Sequence, residues 1–169
     1  MHLSKDIHRM AYIVQSDVLD LGELADPGLK EILDYWEQVR SGRVGPPRGE
    51  FRLEDLPPAI IPCMAVVDFL GPPIDYFYRF FGSRMVEAAG QEMTGKRYFA
   101  DKVEGYGFVN AKMFPVMIER RAPLLTSTRW VSVKDLAMTT VTLRLPLSED
   151  GEAVTGGVTV NRYNWGHGI

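Results

Sequence analysis

Cysteine is nearly absent: Cys63 is the single one in 169 residues, which excludes an internal disulfide and any metal site built from several thiolates. Its neighbours Ile60, Ile61, Met64 and Ala65 make it read as a buried small hydrophobe rather than a reactive thiol. Histidine is almost as scarce. His2, His8 and His167 all lie near the chain ends, so neither a central imidazole base nor a histidine metal cluster can be assembled from the middle of the chain. A basic stripe is missing too. The formal net charge is −3 with Lys and Arg scattered, which argues against a nucleic-acid partner. The longest uncharged stretches, 56–67 and 122–128, are broken by prolines and fall short of the ~20 apolar residues that a membrane-spanning helix needs. Residues 1–9 carry charges of both signs and lead into no apolar leader core, so the expected location is the cytoplasm. No Walker loop, Gly-x-Ser-x-Gly elbow or Gly-x-Gly-x-x-Gly turn occurs; the nearest imitations, at 104–107 and 155–157, sit in turn or strand contexts. The chain therefore reads as a domain without catalytic apparatus of its own.

What is present is ordinary globular material: 46% hydrophobic and 24% charged residues, enough apolar surface to build one core with extensions. Residues 1–26 form a peripheral arm with one strand-like run, Ala11 to Val14, whose partner no turn or cap fixes. Asp26-Pro27 then starts a helix expected over 27–41, an N-cap acid before proline at the first helical position, closed by Gly42. Leu29, Ile32, Leu33, Trp36 and Val39 fall on one stripe of it. That stripe is the candidate interface for a second copy or a partner protein, and it equally suits packing on the domain's own sheet. A Pro- and Gly-rich connector runs to 58, a core of 59–163 follows, and 164–169 is a tail.

Within the core, 64–69 and 75–81 read as an antiparallel hairpin turned by Gly71-Pro72-Pro73. A short helix starts at Ser83 and stops at Gly90, and a longer one over 103–121 breaks into two pieces at Pro115. The segments 123–133, 136–147 and 153–163 read as a three-stranded meander.

This order of elements, together with particular segments, resembles the PAS domain family, in a bacterial single-domain subfamily. The segments are Tyr35-Trp36 with Arg40, Pro47-Arg48, Leu56-Pro57, Tyr78 to Ser83, Met93-Thr94-Gly95-Lys96 and Leu145 to Gly151. The resemblance spans about 29–163. It implies an α+β fold: a PAS-like five-stranded antiparallel sheet with helices over one face enclosing a small cavity, and an N-terminal amphipathic helix. It implies signal sensing or partner contact, and it assigns neither a ligand nor a catalytic residue. Haem-binding members usually offer a histidine on the helical side, and 83–121 has none. Light-sensing flavin members use a helical cysteine, whereas Cys63 precedes a strand. Haem, flavin and metal are all disfavoured, and the cofactor is left unnamed.

The candidate pocket residues come from the aromatic strand and the facing helix. Strict alternation puts Tyr76, Tyr78 and Phe80 on one face. Tyr78 and Phe80 either line a cavity or simply fill a sheet covered on both sides. Arg79, between aromatics, needs solvent, a carboxylate such as Asp68 or Glu54, or a bound anion. Met113 and Met117 are an adaptable pocket wall or plain core. Trp130 shares a face with Leu124, Thr126 and Thr128, and Thr139, Thr140 and Thr142 bring hydroxyls to the sheet. Three functions follow as expectations. One is a sensory domain that binds a small molecule and signals as a homodimer or through a partner. Another is a ligand-free adaptor. The third, an isomerase-like cone with a buried acid, would need Asp68, Asp75 or Asp101 as base.

Overall fold

The computed structural model describes residues 12–71, 75–98, 108–132 and 134–165. The expected turns at 72–73 and 133, the helical start at 103, Asp101, the three histidines and the tail beyond 165 lie outside them.

The chain builds one antiparallel sheet of seven strands in a curled half-barrel, not the five-stranded sheet implied by the resemblance. The strands are β1 (Tyr12–Leu19), β2 (Met64–Leu70), β3 (Asp75–Phe81), β4 (Arg97–Tyr98), β5 (Leu124–Val131), β6 (Ala137–Leu147) and β7 (Gly156–Trp165). Their spatial order is β1-β5-β6-β7-β2-β3-β4. The expected hairpin is β2–β3 and the expected meander is β5–β6–β7. The two added strands sit at the edges. The arm is not peripheral: β1 pairs along its length with β5, from Tyr12 opposite Val131 to Leu19 opposite Leu125. Its weak alternation hid it, since one edge is solvent-facing and the partner lies more than a hundred residues further on. β4 is two residues long, pairing with Phe77 and Tyr76, too short to register as a strand pattern.

Helix α1 (Pro27–Arg40) starts as its cap dictates, with the Asp26 carboxylate accepting from the Leu29 amide at 2.9 Å, and ends at Ser41, whose φ of 49° is left-handed. Most of its stripe packs internally, while Val39 is half-buried and outside the core cluster. Leu29, Ile32 and Trp36 are buried, with Leu33 packed beside them, against Leu125, Leu143, Leu145, Val158 and Val160 of the sheet. Helices α2 (Ser83–Ala89) and α3 (Phe108–Arg120) cover the opposite face, where Met85, Phe114 and Met117 meet Val67, Tyr76, Tyr78 and Leu124. Helices therefore lie on both faces of the sheet. Helix α3 runs unbroken through Pro115, contrary to the expected division into two pieces. The proline is exposed, so water can take the Ala111 carbonyl that loses its amide partner. Ser83 is the first helical residue of α2, one place later than its expected capping role, and Gly82 is the N-cap with no side chain to accept from the first-turn amides.

Several of the segments singled out in the sequence meet one another in this frame. The Trp36 indole donates to the Pro146 carbonyl at 2.7 Å, Ser148 N–H donates to Pro46, and Arg48 N–H donates to the Glu149 carboxylate. Gly95 and Lys96 bond the backbone of Tyr78. These pairings explain the segments as stitching between the connector and the sheet.

Candidate functional site

The strand β3 does not keep strict alternation. Val66 stands opposite Phe80 and Val67 opposite Tyr78, so Arg79 is an extra, bulged residue. The bulge turns Phe80 to the α1 face while Tyr76, Tyr78 and Phe81 stay on the α3 face. The expected shared face for Tyr78 and Phe80 is thereby overturned. Arg79 itself is exposed, 2.5 Å from the Asp68 carboxylate and stacked over the Phe77 ring at 4.7 Å. Asp68 also pairs with Arg48 at 3.2 Å. Of the two remaining helical candidates, Met117 is buried in the core beneath α3 and Met113 packs against it. Neither lines the cleft described below.

The structure places a cleft elsewhere, over the half of the α3-side face that α2 and α3 leave uncovered. It holds about 60 Å³, room for a few water-sized groups, and opens to solvent. Three adjacent strands floor it: Thr128 and Trp130 from β5, Thr140, Thr142 and Arg144 from β6, and Asn161 and Tyr163 from β7. Ile13 of β1 closes one side, and Val109 and Asn110, from the first turn of α3, close the other. Only Trp130 among the expected pocket residues lines it, together with Thr140 and Thr142; Thr139 points to the other face.

The floor is a web of side-chain hydrogen bonds. Trp130 Nε1 donates to Thr140 Oγ1 at 2.8 Å, Thr142 donates to Asn161 Oδ1 at 2.8 Å, and Asn161 Nδ2 donates to the Tyr163 hydroxyl at 2.9 Å. Thr128 shares a 2.8 Å bond with Ser16 of β1. Arg144 is 2% exposed. Its guanidinium donates to Asn110 Oδ1 through Nε at 3.0 Å and Nη2 at 2.7 Å, and to Thr126 Oγ1 through Nη1 at 2.8 Å. Asn110 in turn donates to the Tyr78 oxygen, which also receives the Tyr76 hydroxyl. Burial pushes the Tyr78 phenol up to about 12 and raises Tyr76 further, outweighing the nearby Arg144 charge, which acts the other way. Both tyrosines are therefore neutral hydrogen-bonding groups near pH 7. Two residues along β7 from Asn161, Thr159 Oγ1 is buried with no hydrogen-bond partner among the described residues.

Arg144, Asn110, Asn161 and Tyr163 were missed by sequence reasoning. A signal existed for the first: a lone arginine inside Leu143 to Leu147, an otherwise apolar strand, must be either paired or placed for a purpose. Asp75, the acid an isomerase reading would want, is buried but bonded to Arg97 at 2.6 Å and does not line the cleft. Among the described residues, no group of three or more His, Cys, Asp or Glu is placed to hold a metal ion. Among them, too, no helix is long and apolar enough to cross a membrane.

What the fold and cleft define is a curled antiparallel sheet with an apolar patch on one face covered by a helix and a polar cleft on the other. No family model, curated protein or solved structure matches the chain.

Proposed function

We propose that the chain is a cytoplasmic regulatory domain that binds a small polar molecule in this cleft and passes its occupancy on through association, as a homodimer or with a partner protein. The observation that carries the reading is the contrast between the two faces of the same three strands. Leu125, Leu143, Leu145, Val158 and Val160 make an apolar patch on one face, under α1. The alternating positions Thr128, Thr140, Thr142, Arg144 and Asn161 are all polar and all largely buried. A face meant only for packing would be more stable filled with apolar side chains, because buried polar groups repay their desolvation poorly. The wall from β1 offers the route outward. Ile13 touches the cleft, while Tyr12 and Val14 of the same edge strand face solvent.

The test is native mass spectrometry of freshly purified protein against its denatured mass, with thermal shifts across a library of small acids, amides, alcohols and sugars. A discrete small added mass, or stabilisation that Asn161→Leu abolishes, is the expected result. An unadorned native mass together with no stabilisation by any library member would overturn the reading.

A ligand-free adaptor is the second reading, favoured by one observation. Tyr12 at 58% exposure and Val14 at 56% stand on β1, which has no second strand partner among the described residues, and Leu136 is exposed at 54%. Such an edge is a template for strand addition. Sedimentation that shifts with concentration, and is abolished by Val14→Lys, is what that reading requires.

A further inference from the structure

Resting on the reading of β1 as an edge for strand addition, we propose that the strand it takes is β1 of a second copy of this chain, paired antiparallel about a two-fold axis at Ser16. Five large hydrophobic side chains stand exposed among the described residues: Tyr12, Val14, Val18, Leu21 and Leu136. All of them lie along this one edge. Tyr12, Val14 and Val18 belong to β1, and Leu21 comes two residues after its end. Leu136 precedes Ala137, whose partner Val131 is also the residue opposite Tyr12. Sheet edges are ordinarily guarded by charge, proline or brevity. The far edge is guarded in this way, since β4 has two residues. β1 has eight, with no lysine, arginine or proline and with Asp17 as its one charge.

The edge is complementary to itself. A two-fold axis across an antiparallel pair sets residues of the same face opposite each other. Ser16, bonded to Thr128, faces the cleft, so Gln15 and Asp17 face away from it, and the Gln15 amide donates to Asp17 at 2.8 Å. An axis at Asp17 would put like charges directly opposite. An axis at Gln15 would set Asp17 against Ile13 of the second copy, which the bulge between Ile13 and Gln15 has turned to the cleft face. An axis at Ser16 sets Gln15 opposite Asp17 of the second copy, and Val14 opposite its Val18. Arg129 of β5 holds the Gln15 side-chain oxygen, so a cation, an amide and an acid fall in one row across the joint. The antiparallel sense also brings the Leu21 end of one strand to the Tyr12 and Leu136 end of the other. An unrelated extended peptide would meet the backbone edge but not this match at both ends. Because β4 is too short to receive β1, pairing closes at two copies and does not run on as a fibre. Both clefts then open on the same side of one continuous sheet.

Sedimentation equilibrium of the full chain is expected to show monomer and dimer with no larger species. In a Cys63→Ala background, Ser16→Cys should form an interchain disulfide under mild oxidation at least tenfold faster than Val14→Cys. Across the axis the two Ser16 Cα atoms lie about 4.5–5.5 Å apart, within disulfide reach, whereas the two Val14 positions are offset along the strands by more than about 10 Å. Asp17→Arg should weaken the dimer about threefold, and adding Arg129→Asp should restore it. Should Ser16→Cys fail to fold, this exchange decides alone, and no recovery overturns the register. A dimer that Val14→Lys dissolves, but that Ser16→Cys bridges no faster than Val14→Cys, overturns the pairing about Ser16 while leaving β1 an edge for strand addition. Monomer at every concentration, or a dimer that Val14→Lys leaves intact, overturns both.

Discussion

Trp36 and Pro146 hold the leading helix to the sheet: the indole N–H donates to the proline carbonyl at 2.7 Å in a fully buried setting. The relationship predicts how α1 behaves. Trp36→Phe keeps most of the ring but leaves a buried carbonyl unpaired, costing about 1–3 kcal/mol. Trp36→Ala opens a cavity as well and should cost about 3–5 kcal/mol. Urea unfolding monitored by circular dichroism measures both. If α1 instead served an interface, Trp36→Phe would alter the sedimentation profile and spare the urea midpoint.

Gly45 makes the same junction intolerant of bulk. A Cβ placed there would lie 2.2 Å from the Pro146 carbonyl oxygen and 2.8 Å from its carbon, both backbone atoms of β6. Gly45→Ala is expected to destabilise by about 1–3 kcal/mol, as overpacking does elsewhere. A thermal midpoint equal to the unaltered chain would contradict this account of the connector.

The buried phenols give the fold an alkaline limit. Tyr78 is pushed up to about 12 and Tyr76 further, chiefly by burial, whereas both have ordinary values near 10 in the unfolded chain. Below pH 10 both states hold their protons and the stability is whole. Between pH 10 and 12 only the unfolded chain releases them, so stability falls by about 3 kcal/mol for Tyr78 alone. Urea midpoints at pH 9, 10.5 and 11.5 should decline steadily, and Tyr78→Phe should flatten the decline.

How much of this was legible in the sequence depends on range. Elements with local causes were readable: the Asp26-Pro27 start of α1, the stop of α2 at Gly90, the β2–β3 hairpin and the β5–β6–β7 meander. Two kinds of feature escaped. The pairing of β1 with β5 joins Ser16 to Thr128 across 112 residues, and no local pattern announces a partner at that distance. The bulge at Arg79 shifts one residue of register, and every periodicity argument beyond it then names the wrong face. The cleft was half-read: Trp130, Thr140 and Thr142 were candidates, but the arginine that organises them was passed over for Arg79, which is exposed.

Arg79 accordingly has a modest expected role. Its pair with Asp68 is half in solvent, and such pairs contribute well under about 1 kcal/mol. Arg79→Ala should shift the urea midpoint barely at all and leave thermal shifts by cleft ligands intact. A loss of those shifts would move the site back to β3.

Cys63 should react slowly. Burial pushes its thiol up, against a smaller opposing pull from Arg162 and Arg84, so little thiolate is present at neutral pH. Reaction with a disulfide reagent at pH 8 is expected to be at least tenfold slower in the folded chain than in urea. Equal rates would show the 61–63 turn opening freely.

The edge pairing of β1 also sets a timetable. A ribosome adding about 5–20 residues per second releases Ser16 roughly 6–20 seconds before Thr128 exists to meet it. For that interval the earliest strand has no place in the sheet, and the wall that Ile13 provides is missing. The pocket is consequently finished only after β5 has emerged, whereas the helix that lies against the opposite face is made well before then.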